Sequence, residues 1–154
     1  MANKTLNIGL IGYRFMGKAH SNAFRQVSRF FPDLGVEPLL KCLVGRNLAA
    51  VTAAAGEYGF EEVDTNWRRV VNRDDIDIVD ICTPHPQHPD QAVAAAEAGK
   101  HVLIEKPISI DWDNAKRVRD AVHKAGVKSC VCFEVRFCGQ FLMTKSMIDQ
   151  GLLG

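Results

Sequence analysis

Short apolar runs, each bounded by turn residues, alternate along this chain with stretches in which apolar residues recur at helical spacing. Apolar runs of this length favour strands that are buried on both faces of a parallel sheet. The predicted strands cover residues 6–11, 37–44, 76–81, 101–105 and 128–133. The repeated order of strand, helix and strand is typical of a doubly wound α/β domain, in which ligands bind outside the carboxyl ends of the strands.

Two helices between these strands are predicted from their apolar stripes. The stripes consist of Leu48, Val51, Ala55 and Tyr58, and of Ala115, Val118, Val122 and Ala125. Gly126 stands where a C-cap glycine is expected for the second helix, and Ser109 or Asp111 can cap its N-terminus. A last helix over 140–150 carries apolar residues without an obvious cover, which favours self-association as a homo-oligomer.

Composition places the chain among ordinary globular sequences. It has 154 residues, of which 47% are hydrophobic and 24% charged, and its net charge is +1. This is enough chain for one core, and the sequence divides into a domain over 1–135 and a helix over 136–154. The charge balance gives no indication of nucleic acid or of an anionic membrane as a partner. Without a long apolar run or a signal peptide, we expect a cytoplasmic protein.

Five cysteines and several histidines raise the question of a metal or redox site. The cysteines contain no C-x-x-C pair, so we interpret them as small, buried, reduced hydrophobic residues. His85 and His88 are separated by a rigid proline and lack a third ligand nearby, so no metal site is predicted. For His20, on the first helix, we expect a packing or capping role.

The stretch GLIGYRFMGKAH, over residues 9–20, follows the first strand and suggests an anion site. Gly12 and Gly17 frame a turn whose free backbone N–H groups and helix dipole favour a pyrophosphate. Arg14 occupies the position where the dinucleotide fingerprint usually carries its middle glycine. Taken alone, the motif is compatible with a nucleotide site and with a simple strand-to-helix turn.

Two further strand ends carry polar residues. CTPHPQH, over residues 82–88, is a stiff, proline-rich loop after the third predicted strand. GKHVLIEKPIS, over residues 99–109, places Glu105 and Lys106 at the end of the next strand. A surface ion pair is one interpretation of these two residues, and a lysine that donates to a substrate oxygen is another.

Together with FEVRF before the last helix, these stretches resemble the Gfo/Idh/MocA family of NAD(P)-dependent oxidoreductases. The resemblance covers nearly the whole chain, and the middle stretch carries most of its specificity. It implies a Rossmann dinucleotide-binding domain, and it also implies a C-terminal α/β domain that lies outside this sequence. The implied activity is hydride transfer between a nicotinamide and a hydroxyl or carbonyl group of a sugar, inositol or related polyol.

The same resemblance assigns roles to individual positions. Gly12, Phe15, Met16 and Gly17 would hold the pyrophosphate, and Thr83, Pro84 and His88 would line the nicotinamide. Glu105 and Lys106 match the family's Glu-Lys-Pro, in which the lysine contacts cofactor and substrate and assists proton transfer. Lys106 is therefore the predicted catalytic residue, and the bond to Pro107 is a candidate for the cis form.

Departures from the family pattern leave alternatives open. The family's His and Asp acid–base pair would lie beyond Gly154, and Glu134 stands where many members carry Asn. Since general acid–base catalysis contributes about 10²–10⁴-fold in rate, we expect the chain alone to be a poor enzyme. A non-catalytic dinucleotide-binding module and a scaffold that has lost its cofactor are the alternatives to an oxidoreductase.

The residues after the second strand bear on the choice of cofactor. An NAD-preferring site would carry a carboxylate there, whereas this sequence has Gly45, Arg46 and Asn47. Because Arg46 can bind a 2′-phosphate, NADP(H) is favoured over NAD(H). Arg14 can add positive charge around the phosphates or stack on the adenine.

Overall fold

A computed structural model, which describes residues 4–153, contains one six-stranded sheet in which every strand pair is parallel. The strands are β1 Lys4–Ile11, β2 Val36–Val44, β3 Glu62–Asp64, β4 Ile78–Ile81, β5 His101–Glu105 and β6 Ser129–Cys132. The helices are α1 Phe15–Phe30, α2 Leu48–Tyr58, α3 Trp67–Val71, α4 His88–Glu97, α5 Trp112–Ala125 and α6 Gly139–Asp149. Short 3₁₀ turns cover Pro32–Leu34, His85–Gln87 and Glu134–Phe137.

The strand order is β3-β2-β1-β4-β5-β6, so the chain winds outward from β1 in both directions. In a doubly wound sheet the connections leave β1 and β4 on opposite sides, which opens a crevice at their carboxyl ends. This topology confirms the predicted Rossmann fold.

The core consists of two clusters of buried side chains. Leu10 and Leu43 belong to one cluster, whereas their neighbours Ile11 and Val44 belong to the other. Successive side chains of a strand point to opposite faces, so the two clusters cover the two faces of the sheet. Burial on both faces explains why these strands have nearly continuous apolar sequences.

The predicted strands and helices are confirmed, but strand β3 and helices α3 and α4 were not predicted individually. Strand β3 contains three residues, too few to show a pattern of its own. Asp111 caps α5 by accepting a hydrogen bond from the Asn114 N–H at 2.8 Å, and Gly126 closes the helix at φ 67°. Helix α6 exposes Phe141, Leu142, Met143 and Ile148, so its apolar face is uncovered within residues 4–153.

The interpretation of all five cysteines as buried residues was wrong in part. Every cysteine is a free thiol, and Cys42 is fully buried, but Cys130 and Cys138 are exposed. Cys130 lies on β6, the last strand of the sheet, in which Ser129 and Cys130 are exposed and the next two residues are partly buried. Sequence periodicity does not reveal which strand will lie at the edge of a sheet.

None of the helices within residues 4–153 combines the length and the apolar character that spanning a bilayer requires.

Candidate functional site

A cleft of about 600 Å³ opens at the carboxyl ends of β1, β2 and β4. It brings together six of the residues predicted from sequence, namely Gly12, Arg14, Gly45, Arg46, Thr83 and Pro84. It also contains residues that the sequence analysis missed, namely Tyr13, Asn47, Thr65, Trp67, Gln87 and Gln91. Thr65 and Trp67 were missed because they follow the unrecognised strand β3.

Glycines shape the floor of the cleft. Gly12 has φ +106°, and a Cβ atom there would lie 2.7 Å from the carbonyl oxygen of Cys82. A Cβ atom on Gly17 would lie 1.9 Å from the carbonyl oxygen of Gly12. Both contacts are with backbone atoms, which have little freedom to move aside. These positions therefore require glycine, and their side-chain-free backbone forms a tight turn between β1 and α1.

The turn leads into α1, and Arg14, the residue before this helix, lines the cleft. The first intrahelical bond runs from the Lys18 N–H to the Arg14 carbonyl at 2.9 Å. The amides of Phe15, Met16 and Gly17 thus have no acceptor within the helix, which is the arrangement that binds anions at helix N-termini. Phe15, Met16 and Gly17, which were predicted to hold the pyrophosphate, do not line the cleft themselves, and the side chain of Phe15 is exposed.

Arg14 fits the turn without strain. It is the residue before α1, with φ −77° and ψ −157°, an extended conformation open to any residue. Its side chain is exposed and lines the cleft. The replacement of the middle glycine by Arg14 therefore adds a positive charge at the opening of the cleft and leaves the backbone of the turn intact.

The second wall of the cleft follows β2. A Cβ atom on Gly45 would lie 2.3 Å from the ring of Tyr13, so the aromatic ring packs directly on this glycine. The Tyr58 hydroxyl donates to the Tyr13 carbonyl at 2.9 Å and holds the loop in place. Arg46 is exposed beside it, and among the described lining residues Arg14 and Arg46 carry charge while Asp and Glu do not occur. The cleft therefore favours an anionic ligand.

The third wall follows β4. The Thr83 hydroxyl donates to Gln91 at 2.7 Å, which orients both side chains along the cleft. His88 is 1% exposed, and its ring nitrogens lie 2.7 Å from the Thr83 carbonyl and 2.8 Å from the Pro107 carbonyl. The structure thus places His88 beneath the wall rather than on it, as a link between the loops after β4 and β5.

Lys106 lies outside this cleft, at the carboxyl end of β5, which is the neighbour of β4 in the sheet. Its exposed side chain lines a second cavity of about 680 Å³ with the segment 133–137 and helix α6. Glu134 also lines this cavity. The Lys106–Pro107 bond is cis, as the sequence suggested.

Two buried carboxylates and a partly buried histidine form a cluster between α1, β4 and β5. The Nδ1 atom of His20 lies 2.9 and 3.0 Å from the two carboxylate oxygens of Asp80, and Nε2 lies 3.1 Å from Glu105 Oε1. The side chains of His20, Asp80 and Glu105 are 13%, 0% and 6% exposed. The expected packing or capping role for His20 is therefore corrected, because the ring bridges two acids.

Burial and pairing act in opposite directions on this cluster. Burial alone would lower the pKa of His20, but hydrogen bonds with Asp80, Cys132 and Cys82 outweigh it and raise the pKa well above its usual value. Burial also raises the pKa of Asp80, against the lowering effect of His20. We conclude that the ring holds its proton at neutral pH, since each ring nitrogen faces a carboxylate.

A sequence signal for this cluster existed. Asp80 stands in the middle of the apolar run IVDI, and a carboxylate buried in a strand requires a partner. The identity of that partner, His20 on α1, could not be predicted from local sequence patterns, because 60 positions separate it from Asp80.

The same side chains lie close enough to offer ligands to a metal. His20, Asp80 and Cys82 form one such group and His20, Glu105 and Cys132 another, with ligand atoms within 4.8 Å of one another. In both groups the imidazole is hydrogen-bonded to a carboxylate. The cluster is therefore electrostatically paired as it stands.

A six-stranded parallel sheet, a glycine turn at its switch point and a cleft whose described lining contains arginine but no aspartate or glutamate are the features of a dinucleotide-binding Rossmann domain. The chain belongs to the Gfo/Idh/MocA family, since residues 6–133 match the oxidoreductase family described by its NAD-binding Rossmann fold.

Individual relatives agree with this family. Levoglucosan dehydrogenase of Pseudarthrobacter phenanthrenivorans is 38% identical over 151 residues, which are 98% of this chain and 39% of that protein. A solved structure of levoglucosan dehydrogenase in complex with NADH matches with a TM-score of 0.93 at 38% identity, covering 98% of this chain and 41% of that one. Scyllo-inositol dehydrogenase of Lactobacillus casei, solved with NAD(H) and scyllo-inositol, matches with a TM-score of 0.83 at 30% identity, covering 98% and 43%. The chain thus spans about 40% of the length of these relatives.

The glycine turn generates a paired prediction for stability. Gly17→Ala forces a methyl group against the Gly12 carbonyl, so we expect a loss of at least about 2 kcal/mol in the free energy of unfolding. Gly56→Ala is the matched control, because Gly56 lies inside α2 with open space around its Cβ position. There we expect a gain of about 0.5–1 kcal/mol. Urea unfolding measures both, and equal effects of the two changes would contradict the proposed tight turn.

The thiols generate a second prediction. Burial raises the pKa of Cys42 to about 11 and that of Cys82 to about 12, which leaves little thiolate at pH 8. We expect brief alkylation of the native chain at pH 8 to modify Cys130 and Cys138 first. Mass spectrometry of the digested protein gives the order, and unfolded chain is the control in which all five cysteines react. Early modification of Cys82 in the native chain would show that this thiol is more accessible than described.

Proposed function

We propose that this chain binds a nicotinamide dinucleotide in the cleft at the switch point and forms the cofactor domain of a dehydrogenase acting on a sugar or polyol. The observation that carries the proposal is the glycine turn. A Cβ atom on Gly12 or Gly17 would collide with backbone atoms, so only glycine allows this tight turn, and the first amides of α1 have no acceptor within the helix. This is the geometry that a pyrophosphate needs.

The remaining cleft fits the rest of such a ligand. Tyr13 and Trp67 offer apolar surface, and Thr83 and Gln91 offer polar groups on the opposite wall. Thr83 and Pro84 follow β4, next to the carboxyl end of β5, where the nicotinamide would lie. When bound, the nicotinamide supplies the hydride acceptor or donor.

Lys106 is the proposed catalytic residue. It follows Glu105 at the end of β5, and its exposed ammonium group faces the cavity next to the cleft. An ammonium group there can donate a hydrogen bond to the substrate oxygen and stabilise negative charge as it develops. The relatives whose names include levoglucosan and inositol support a substrate with secondary hydroxyl groups.

The preference for NADP(H) remains a proposal with observations on both sides. The two arginines and the absence of a carboxylate from the described cleft lining support binding of a 2′-phosphate. The relatives solved with NADH or NAD(H) support NAD(H) instead. We retain NADP(H) as the favoured cofactor because the charge next to Gly45 belongs to this chain.

The role of Lys106 is tested in the gene product that carries this chain. With a panel of sugars and polyols, Lys106→Ala should lower kcat/KM at least about 10²-fold, because the group that polarises the substrate oxygen is lost. The resemblance implies that Lys106 also contacts the cofactor, but Lys106 lies outside the cleft lining, so we expect the dissociation constant for NADPH to stay within about 3-fold.

Lys116→Ala, an exposed lysine on α5, is the control and should leave turnover unchanged. Unchanged turnover in Lys106→Ala would remove this residue from the mechanism. Cofactor binding without any turnover would favour the non-catalytic binding module, and absence of binding would favour the scaffold.

The cofactor preference is tested by Arg46→Asp. Loss of a charge-assisted hydrogen bond and gain of an acid should weaken NADPH binding about 10–100-fold and leave NADH binding within about 3-fold or improve it. Fluorescence titration of the 154-residue chain with each nucleotide measures both constants. Arg25→Asp, an exposed position on α1, controls for the change in net charge. Equal effects on NADPH and NADH would contradict a 2′-phosphate contact.

A further inference from the structure

We infer that His20 is a positioning residue, which fixes the Glu105–Lys106 end of β5 by holding the Glu105 carboxylate in one orientation. The inference rests on the proposed function for the part that Lys106 plays in catalysis. Its structural basis is the bridge that His20 makes from α1 to β4 and β5.

The bridge reaches the backbone of Lys106 in two steps. His20 Nε2 lies 3.1 Å from Glu105 Oε1, and the other oxygen, Oε2, accepts a hydrogen bond from the Lys106 N–H at 3.1 Å. One carboxylate oxygen is thus held by the histidine and the other holds the residue that carries the proposed catalytic ammonium. A rotation of the Glu105 carboxylate would break both contacts.

His20 is itself held from the other side. Both oxygens of Asp80 lie within 3.0 Å of Nδ1, and Asp80 is completely buried in β4. Carboxylate oxygens that face both ring nitrogens accept hydrogen bonds, so the ring donates through both nitrogens as an imidazolium ion. An imidazolium ion held between two carboxylates has one favourable orientation, and its contact with Oε1 fixes the orientation of the Glu105 carboxylate.

The position of His20 on α1 also connects the two cavities. His20 lies three residues after Gly17, and its neighbour Ser21 donates to the Gly17 carbonyl at 2.6 Å. The helix that begins at the glycine turn therefore carries the side chain that orients the end of β5. In a reaction that requires close alignment, a displacement of about 1 Å costs about 10²-fold in rate.

The test uses two variants, His20→Asn and His20→Gln, each of which can replace one of the two ring nitrogens as a hydrogen-bond donor. The amide nitrogen of Asn can take the place of Nδ1 and preserve the bond to Asp80, whereas that of Gln can take the place of Nε2 and preserve the bond to Glu105. Asp80 is more deeply buried than Glu105, so leaving Asp80 unpaired costs more stability. His20→Gln should therefore be the less stable variant and His20→Asn the more stable one.

If His20 positions Glu105, the order of activity is the opposite of the order of stability: His20→Gln is the more active variant and His20→Asn the less active one. In the gene product that carries this chain, His20→Asn should lower kcat about 10–100-fold with little change in substrate KM, and His20→Gln should lower it less. His123→Gln, an exposed histidine on α5, is the matched control with no expected change. Activity that follows the order of stability would show a purely structural role and overturn the inference.

If the less stable variant, His20→Gln, fails to fold, a double-mutant cycle with His20→Asn and Glu105→Gln still tests the inference. Glu105→Gln should lower kcat by a similar factor, and its combination with His20→Asn should cost little more than either change alone. Additive losses would show that His20 does not act through Glu105.

A readout without turnover separates this inference from the proposed function. In the 154-residue chain, hydrogen exchange of the Lys106 amide followed by NMR should be at least about 10-fold faster in His20→Asn than in the parent, and closer to the parent in His20→Gln. If the gene product is inactive but this pattern is found, the proposed function fails and the positioning contact stands. Equal exchange rates in all three proteins, or a stoichiometric metal ion bound at His20 in the purified protein, would overturn it.

Discussion

The close approach of three backbone segments at Gly12 is the constraint on which the candidate site depends. The end of β1, the start of α1 and the loop after β4 meet there, and the distances leave no room for a side chain. Because no side chain intervenes, Arg14 before α1 and Thr83 after β4 line the same cleft. A larger residue at Gly12 or Gly17 would separate these elements and disrupt the candidate site.

A second constraint lies beneath the walls of the cleft, where histidines tie together segments that are distant in sequence. His20 connects α1 with β4 and β5, and His88 connects the loop after β4 with Pro107. Polar groups in such positions are stable only when each is paired, since an unpaired buried charge costs several kcal/mol. The pairing explains how charged residues are kept within an otherwise apolar sheet, and why the ends of β4 and β5 have a fixed relation to each other.

Family membership and site geometry contribute different parts of the functional argument. Residues 6–133 belong to an oxidoreductase family with an NAD-binding fold, and the glycine turn agrees with it. The two arginines at the opening of the cleft distinguish this chain from the usual fingerprint, in which a glycine stands in place of Arg14 and a carboxylate in place of Arg46. In the proposed function, the charge of Arg14 and Arg46 would select among dinucleotides, whereas the glycine turn would accept the pyrophosphate that all of them share.

The sequence by itself determined the fold class, five of the six strands, the caps of α5 and the glycine turn. Each of these follows from local rules, namely the period of apolar residues, the chemistry of capping side chains and the freedom of glycine. The tertiary structure decided which polar residues meet. The partnership of His20 with Asp80 and Glu105, the burial of His88, the exposure of Cys130 and the short strand β3 all depend on strand order and on contacts between distant segments. Local patterns do not specify such contacts, because the energy of a buried charge is set by its neighbours in space.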